Sequence, residues 1–390
     1  MRQQVVFVDE TADIGGAEVN LLTITPHLHE AGWHPIVVVP GAGRLTEKLH
    51  GLGVSTCYVP RPPLLSSSWY IRHRYKIPNP LALPLNAIQG IIWVAQLYAL
   101  FRRVRPALVH TVSMWSHAFA GLAGRLAGCP VVWHFQDIVG PRSGFGAYRA
   151  LVRLCARYIP TRILCISDVV ADQFRDDERA GGKVHVLWNT VDTQRYAYGP
   201  ARDRALLTIG TVARLTPWKG HDIALQAARL LKQRGMRFRW FIAGDEGLGD
   251  TGYRAHLLSL ICDWELEAEV QLVGWVADMP AFYRSLDVLV HPAIEPEPFG
   301  LVLAEAMASG LAVIATTGGG AEHMVEPAGG LLVPPSRADA IADALQRNAT
   351  IPRELVRRGE RARQFAEQRF GTKQYVEQLV RMYQSLAEGV

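Results

Sequence analysis

The sequence lacks the cysteine and glycine patterns that mark several common kinds of site. Its five cysteines are scattered and form no CxxC pair, which argues against a zinc site or a disulfide framework and favours reduced thiols in a cytoplasm. No GxxxxGK[ST] phosphate loop and no GxGxxG fingerprint occurs, so a nicotinamide enzyme is not indicated. No Asp-x-Asp pair occurs either, and a two-carboxylate metal grip on a diphosphate is therefore unsupported.

A large excess of charge of one sign is also missing. The chain has 390 residues, of which 49% are hydrophobic and 20% charged, which is typical of a globular protein with two domains. The formal net charge of +5 suits anionic small ligands or an anionic membrane surface, and it falls short of a nucleic-acid footprint. The first residues, MRQQVVFVDE, do not read as a signal peptide, which again favours a cytoplasmic protein.

Charge is absent from residues 77–101, and three arginines follow, the last of them Arg105. Prolines interrupt the first part, and the helical part, about 85–101, is short for a membrane span. One interpretation is a helix buried against a sheet. The other is a peripheral contact of residues 77–105 with the inner face of a membrane or with a lipid-linked acceptor.

Short apolar runs alternate with helical stretches, which predicts parallel strands buried between helices. The pattern restarts near residue 206, so we expect an α/β protein with two facing, doubly wound Rossmann-like domains at 1–200 and 206–370. Residues 194–204 read as a linker, and a C-terminal helix at 371–390 is expected to pack back toward the first domain. Ligands of such sheets bind at the C-terminal ends of strands, which predicts a site in an interdomain cleft. The predicted strands are 5–8, 36–39, 107–112, 131–134 and 163–166, then 206–212, 238–243, 270–273, 288–291 and 312–315.

Residues 295–309, EPEPFGLVLAEAMAS, carry the most informative pattern. Glu297 and Glu305 flank Phe299 and Gly300, and the run from Leu301 is a good helix former. The unpaired N–H groups at the start of such a helix can hold a phosphate, and carboxylates accept hydrogen bonds from sugar hydroxyls. A phosphate cradle between two hydroxyl acceptors suits a nucleotide sugar. A capped helix with one surface glutamate is the alternative.

Two cations and a glycine follow neighbouring strands of the second predicted domain. Arg214 and Lys219 lie in the segment GTVARLTPWKG, where they would neutralise a diphosphate and stabilise a departing nucleoside diphosphate. Solvated surface cations are the alternative. Gly244, in the segment GDEG, lies where a base and a ribose would bind, although an ordinary turn would account for it equally.

The first predicted domain offers a glycine pair and a histidine. Gly15 and Gly16 follow the first strand and would allow a ligand to approach the start of a helix, although a simple turn is the alternative. His134 ends a strand and could hydrogen-bond a sugar hydroxyl near the reacting carbon, whereas a structural histidine is the alternative. The histidines interpreted as structural are His110, His117 and His291.

In combination, these motifs resemble the retaining glycosyltransferases of family 4, which have the GT-B fold. The segments occur along nearly the whole chain in the family's order: GGAE at 15–18, His134, ISDVV at 166–170, NTVD at 189–192, GTVARLTPWKG at 210–220, AGDEG at 243–247 and EPFGLVLAEAMASG at 297–310. Thr190 and Trp218 depart from the family's usual residues; neither departure removes a charged role, and both leave the acceptor undetermined.

The resemblance implies a role for each matched residue. Glu305 would accept hydrogen bonds from the donor ribose, Glu297 would contact the donor sugar, and Arg214 and Lys219 would hold the diphosphate. His134 would lie near the transferred sugar and the acceptor. The remaining donor-binding positions are Gly15, Gly16, Gly244 and the backbone of Phe299, Gly300 and Leu301.

The resemblance also implies transfer with retention and without an obligatory metal or cofactor. In the usual proposal the leaving phosphate oxygen takes the proton of the acceptor, so Glu297 and Glu305 would be neither nucleophile nor acid. We therefore predict a hexosyltransferase of glycan, glycolipid or natural-product biosynthesis that prefers a UDP-sugar to GDP-mannose. The acceptor would be a lipid-linked glycan precursor or a soluble small molecule. The alternatives are a sugar-nucleotide 2-epimerase on the same fold and a non-catalytic nucleotide-sugar binding protein.

Overall fold

A computed structural model describes most of the chain, in two units. The described residues are 3–62, 68–71, 75–78, 82–139, 146–196, 206–246, 252–351 and 353–389. The first unit comprises Met1–Leu187 and Lys373–Val390, and the second unit comprises Trp188–Thr372. The first unit therefore ends before the expected linker, because Trp188 stacks on Phe370 of the second unit and the Thr190 hydroxyl donates to the carbonyl of Phe370. Residues 197–204 of that linker lie outside the described residues.

Strands and helices alternate through both units. The strands are β1 (Gln3–Val8), β2 (Trp33–Val39), β3 (Ser55–Tyr58), β4 (Ser68–Ile71), β5 (Tyr75–Pro78), β6 (Leu108–Thr111), β7 (Val131–Phe135), β8 (Arg162–Cys165), β9 (Val184–Val186), β10 (Leu207–Val212), β11 (Phe238–Ala243), β12 (Val270–Gly274), β13 (Val288–His291), β14 (Ala312–Thr316) and β15 (Leu331–Val333). The helices are α1 (Gly16–Glu30), α2 (Arg44–Gly51), α3 (Ala82–Val104), α4 (Met114–Leu126), α5 (Gly146–Tyr158), α6 (Asp168–Arg175), α7 (Glu178–Gly181), α8 (His221–Gln233), α9 (Tyr253–Asp263), α10 (Met279–Arg284), α11 (Leu301–Ala308), α12 (Gly320–Met324), α13 (Ala338–Thr350), α14 (Glu354–Arg369) and α15 (Thr372–Glu388).

In the described part of the first unit, seven parallel strands form a sheet in the order β3-β2-β1-β6-β7-β8-β9. Its central strands are apolar on both sides because helices cover both faces. On one face Phe7 packs in a cluster with Trp33 and with Leu379 of α15. On the other face Val6 packs in a cluster with Trp93 of α3. Helix α15 therefore completes the core of the first unit.

In the described part of the second unit, six parallel strands are ordered β12-β11-β10-β13-β14-β15. Its core is one apolar cluster in which Trp240 is fully buried, and the indole Nε1 of Trp240 donates to Thr211 Oγ1 at 3.0 Å. The strand order reverses next to β10, because β11 pairs with one edge of β10 and β13 pairs with the other. Such a reversal is where open α/β sheets form ligand crevices.

The predicted fold class, two Rossmann-like α/β domains with parallel sheets, is confirmed, and all ten predicted strands occur. The segment 77–105 includes a helix that is longer than expected, α3. Within α3, the span Pro84–Val104 is long and apolar enough to cross a membrane by length and composition, but only 28% of its apolar window is buried. It is therefore not a fully buried core helix, because one face packs on the sheet and the other is exposed. Residues 79–81 lie outside the described residues.

Candidate functional site

Two loops meet at the strand reversal of the second unit. Residues 213–219 follow β10 and residues 292–300 follow β13, and these two strands are neighbours in the sheet. Gly220 adopts a φ of +72°, and a Cβ there would lie 2.0 Å from the carbonyl oxygen of Pro292. Only glycine fits this contact without displacing a loop. The close approach brings the side chains of the two loops together.

Lys219 and Glu297 form an ion pair between these loops. The Nζ of Lys219 donates to Glu297 Oε2, and both side chains are largely buried, with 12% and 16% exposed. The Nε2 of His291, at the end of β13, lies 3.2 Å from the same oxygen. Because an ionised carboxylate only accepts hydrogen bonds, His291 donates here. Glu297 thus links a cation and an imidazole at the C-terminal edge of the sheet.

The charge of Glu297 follows from these partners. Burial alone would raise the pKa of Glu297, but the Lys219 cation and the hydrogen bond from His291 lower that pKa below its ordinary value. Glu297 is therefore ionised at neutral pH and has no proton to give. Chemically, it can orient Lys219 and accept a hydrogen bond from a ligand hydroxyl. It is not suited to act as a general acid.

Arg214 stands apart from this pair on the same loop. Its side chain is exposed, and none of the ion pairs found among the described residues involves it. Lys219, by contrast, lies 4.3 Å from the centre of the Trp218 ring, so Trp218 limits the positions that Lys219 can take. An exposed arginine beside a fixed lysine presents two cations to an anionic ligand.

The start of α11 lies at the end of the loop that carries Glu297. Gly300 precedes the helix with a φ of +93°, and the helix begins at Leu301, as predicted. The Phe299 ring is buried against Phe370, with ring centroids 5.6 Å apart. Phe299 therefore anchors the turn, and the backbone N–H groups at the beginning of α11 are the groups that could bind a phosphate.

Glu305 lies one helical turn after Leu301 on α11 and is buried. Tyr196 donates its hydroxyl to Glu305 Oε1 at 2.8 Å, and Tyr283 donates to Oε2 at 2.9 Å. Burial raises the pKa of Glu305, and the two tyrosine hydrogen bonds oppose this shift. Each carboxylate oxygen keeps a second lone pair. The two tyrosines fix the orientation of Glu305, and its remaining lone pairs define where a hydroxyl could bind.

Gly244 supports the loop that carries Arg214. Its φ is +141°, and a Cβ there would lie 1.8 Å from the carbonyl oxygen of Ala213. The loop after β11 therefore packs directly on the loop after β10, and Gly244 donates its N–H to Gly274 at 2.9 Å. Gly247, at the end of the GDEG segment, lies outside the described residues.

In the first unit, Gly15 and Gly16 begin α1 and are exposed. The N–H of Gly15 donates to Glu18 Oε2 at 2.6 Å, so a carboxylate already faces this helix start. Buried Asp9, directly after β1, lies beside Glu18, and burial followed by the charge of Glu18 raises the pKa of Asp9. Asp9 therefore favours its protonated form more strongly than a free aspartate does. A Cβ at Gly16 would meet open space, which leaves room for a ligand.

His134 lies within β7 and is buried. Its ring packs edge-on against His110 with centroids 5.1 Å apart, and its Nε2 has no hydrogen-bond partner among the described residues. Burial lowers the pKa of His134 to about 3, so the ring is neutral at physiological pH. The hydroxyl of Tyr383, on α15, lies 2.6 Å from Nδ1 of His110. A neutral histidine can form a hydrogen bond with a hydroxyl, but it has no positive charge with which to stabilise an anion.

Sequence reasoning missed several of these partners. His291 was interpreted as structural, yet it bonds Glu297, and its position at a strand end after an apolar run was the available signal. Tyr196 and Tyr283 had no signal, because they are 109 and 22 residues from Glu305. Among the described residues, no group of three or more His, Cys, Asp or Glu side chains could hold a metal ion.

Both halves of the chain match models of glycosyltransferase families. Residues 14–195 match the model described as Glycosyltransferase Family 4, and residues 201–365 match the model described as Glycosyl transferases group 1. WcaL of Escherichia coli K12, a proposed colanic acid biosynthesis glycosyltransferase, is 31% identical over 57% of this chain and 56% of its own length. The chain thus matches little more than half the length of that relative.

Two further proteins match over more of the chain. A GDP-mannose-dependent alpha-mannosyltransferase of Mycobacterium tuberculosis is 28% identical over 82% of this chain and 80% of its own length. The crystal structure of Anabaena HepE in complex with UDP and glucose has a TM-score of 0.82 and 22% identity, and the match covers 98% of this chain and 99% of that one. This likeness concerns the fold alone.

Proposed function

We propose that this chain, which belongs to the glycosyltransferases of the GT-B fold, transfers a hexosyl unit from a nucleotide diphosphate sugar to an acceptor hydroxyl. The observation that carries the proposal is the meeting of Lys219 and ionised Glu297 at the strand reversal of the second sheet, beside exposed Arg214. Cations for a diphosphate and an acceptor for sugar hydroxyls thus lie at one sheet edge. Among the described residues, no comparable observation favours the 2-epimerase or the non-catalytic binding protein.

The donor diphosphate is assigned to Arg214, Lys219 and the start of α11. Negative charge grows on the bridging phosphate oxygen as the glycosidic bond breaks, and fixed cations stabilise that charge. Glu297 holds Lys219 in place and accepts a hydrogen bond from the sugar. Since these groups supply the positive charge themselves, we propose that no metal is obligatory.

The nucleoside is assigned to Glu305 and to the loop at Gly244. The lone pairs of Glu305 that its two tyrosines leave unused would accept hydrogen bonds from the ribose diol. A buried carboxylate that accepts hydrogen bonds from two hydroxyls makes binding specific for ligands with those hydroxyls, because a ligand without them leaves the carboxylate unpaired. We propose UDP as the nucleotide, in preference to GDP. The relatives carry both in their names and titles, so the base is open to direct test.

The first unit supplies the groups assigned to the transferred sugar and the acceptor. His134 is neutral and has a buried, unpartnered Nε2, which suits a hydrogen bond with a sugar hydroxyl. Gly15 and Gly16 leave α1 open to a ligand. We propose transfer with retention, in which the leaving phosphate oxygen accepts the proton of the acceptor, because the lowered pKa of Glu297, which Lys219 and His291 hold ionised, makes this carboxylate a weak base. The proposed acceptor is a lipid-linked glycan precursor, with peripheral membrane contact through residues 77–105.

The test is a calorimetric binding panel of UDP, GDP and ADP, followed by turnover with the sugar conjugates of the nucleotide that binds. Lys219→Ala should abolish measurable nucleotide binding, and Arg214→Ala should lower turnover by roughly 10²-fold or more. Lys232→Ala is the matched control, since Lys232 is a half-exposed lysine of the same unit that also pairs with a carboxylate, Glu269. Its binding should equal that of the wild type.

Two further measurements address the chemistry. Anomeric coupling constants of the product, by NMR, decide between retention and inversion, and turnover after treatment with a chelator tests metal independence. Donor incubated without acceptor should keep its configuration at C2, whereas epimerisation there would establish the alternative enzyme class. Folded protein that binds none of the three nucleotides would contradict the placement of the donor site.

A further inference from the structure

Helix α3 exposes an apolar face that the proposed reaction does not use. Ile88, Ile91 and Ile92 are 55%, 69% and 49% exposed, and Leu85 and Tyr98 extend the same side of the helix. The exposed positions between residues 84 and 101 carry no charge. A solvent-facing helix side normally carries charged residues, so this face is arranged for an apolar environment.

The opposite face of α3 is part of the core of the first unit. Trp93, Leu97 and Phe101 are buried there, in the cluster that includes Val6 of β1. Leaving this cluster to cross a bilayer would expose the sheet, so α3 can lie on a membrane while the unit stays folded, but it cannot span one. This is the arrangement of an interfacial helix, with one side in protein and the other in lipid.

Helix α4 widens the exposed face. It packs against α3 so closely that a Cβ at Gly90 would lie 2.3 Å from the Phe119 ring of α4. Leu122 and Leu126 of α4 are exposed, Leu126 by 61%, and Arg125 lies between them. The two helices therefore present neighbouring apolar side chains, and we call this face the α3–α4 surface.

The stretch of sequence that contains this surface is rich in basic residues and has almost no acidic residues. Between Glu47 and Asp137 the sequence contains no Asp or Glu, and Asp137 is the single acidic residue in 48–167. That stretch contains 14 basic residues: Lys48, Arg61, Arg72, Arg74, Lys76, Arg102, Arg103, Arg105, Arg125, Arg142, Arg149, Arg153, Arg157 and Arg162. Its net charge of +13 compares with −8 for the rest of the chain. Charge is therefore distributed unevenly along the sequence, although Arg61, Arg153 and Arg157 of this stretch pair with acidic residues outside it.

The arginines at the end of the apolar face are available to a partner. Arg102, Arg103, Arg105 and Arg125 are exposed, and none of the ion pairs found among the described residues involves them. An apolar face bordered by unpaired arginines is complementary to a bilayer with anionic headgroups, because the side chains enter the acyl boundary while the cations meet the phosphates. A second protein with an apolar patch would explain the isoleucines but not the missing carboxylates.

We propose that the α3–α4 surface docks this chain on an anionic lipid bilayer, with α3 lying in the plane of the interface. The surface extends the expected contact at 77–105 to α4 and assigns the lipid charge. The proposal shares a lipid-linked acceptor with the proposed function. Binding to vesicles needs no donor, however, so a failure to bind vesicles would remove the membrane contact and leave the donor-site assignment untouched.

The test is cosedimentation of the full chain with vesicles of phosphatidylcholine alone or with about 30% phosphatidylglycerol. The wild type should bind the anionic vesicles at least tenfold more tightly, and salt at about 0.5 M should weaken this binding. Arg102→Gln/Arg103→Gln should weaken binding to anionic vesicles about 20-fold. Ile88→Ser/Ile91→Ser/Ile92→Ser should weaken binding about tenfold or more.

The controls carry substitutions of the same kinds in the second unit. Leu258 is 48% exposed on α9, and Arg239 and Arg347 are exposed, so Leu258→Ser and Arg239→Gln/Arg347→Gln should bind as the wild type does. The arginine variant keeps the test valid if the serine variant unfolds on thermal melting. Equal binding to both vesicle types, no binding, or unchanged binding by the arginine variant would overturn the proposal. So would a wild-type dimer that binds no vesicles and becomes a monomer in the serine variant.

Discussion

Replacing Gly220 by alanine tests whether the close approach of two loops holds the candidate site together. Gly220 precedes α8 and Gly235 follows it, and both have a φ of +72°. A Cβ at Gly220 would lie 2.0 Å from the carbonyl oxygen of Pro292, whereas a Cβ at Gly235 would meet nothing within 4 Å. The two positions therefore share the backbone conformation and differ in the space beside them.

The expected costs follow from that difference. Gly235→Ala should cost only the left-handed backbone term, about 1–2 kcal/mol. Gly220→Ala adds an overlap of more than 1 Å with a carbonyl oxygen, which costs a further 1–3 kcal/mol, approximately, as overpacking does. For a unit of this size each kcal/mol lowers Tm by about 2–4 °C. Gly220→Ala should therefore melt roughly 4–20 °C below the wild type, and Gly235→Ala roughly 2–8 °C below.

The effect on function separates the two variants more sharply. Relief of the clash moves the loop that carries Lys219 away from the loop that carries Glu297, and a displacement near 1 Å can cost about 10²-fold in rate. Calorimetric melting and turnover at saturating donor are the two assays. Gly235→Ala should keep its turnover within about threefold of wild type. Equal losses of turnover in both variants would refute the reasoning, because the Pro292 contact would then have no special role.

Two other predictions concern buried ionisable groups. Glu305→Gln keeps the shape of Glu305 but replaces one accepting oxygen by a donating NH₂, so the hydroxyl of Tyr196 or Tyr283 loses its acceptor. Nucleotide affinity, measured by calorimetry, should therefore fall about 10- to 100-fold. Unchanged affinity would contradict the ribose assignment. Burial lowers the pKa of His117 and His134 from 6.5 to about 3. Between these pH values the two histidines bind protons in the unfolded chain but not in the folded chain. The free energy of unfolding should therefore fall as pH drops from 6.5 toward 3, by up to about 1.4 kcal/mol per pH unit for each histidine. His117→Asn should flatten this dependence in melting experiments across that range, and an unaltered slope would count against a neutral, buried His117.

Periodicity was enough to predict the elements with a strong local signal. Helix α11 begins at Leu301 as expected, since a glycine precedes an unbroken run of helix formers. Five strands of the described residues were missed: β4 and β5, which pair with each other, and β3, β9 and β15 of the two parallel sheets. The last three are only 3 to 4 residues long and partly exposed, so no apolar run marks them. They join the sheets by pairing with an existing edge, which is tertiary information.

In the candidate site, too, local features could be predicted from the sequence and long-range contacts could not. The charges at Lys219 and Glu297 were predicted as donor-binding groups, but their direct pairing depends on two strands that are adjacent in the sheet and 78 residues apart in the chain. The tyrosines that orient Glu305 could not be found for the same reason. For α3, a helix that is apolar all round has no preferred side in its periodicity, so the exposed face was visible only in the folded unit.

The packing of α15 into the first core has a consequence for biosynthesis. The ribosome finishes β9 and then makes all 185 residues of the second unit, 188–372, before it reaches the helix that covers Phe7 and Trp33. At ordinary elongation rates this delay lasts roughly 10–40 s. During that time one side of the nascent first sheet lacks Leu379 and its neighbours, and it is open to chaperones. The strands of the second unit, β10 to β15, are all synthesised before α15, which the first unit needs to complete its core.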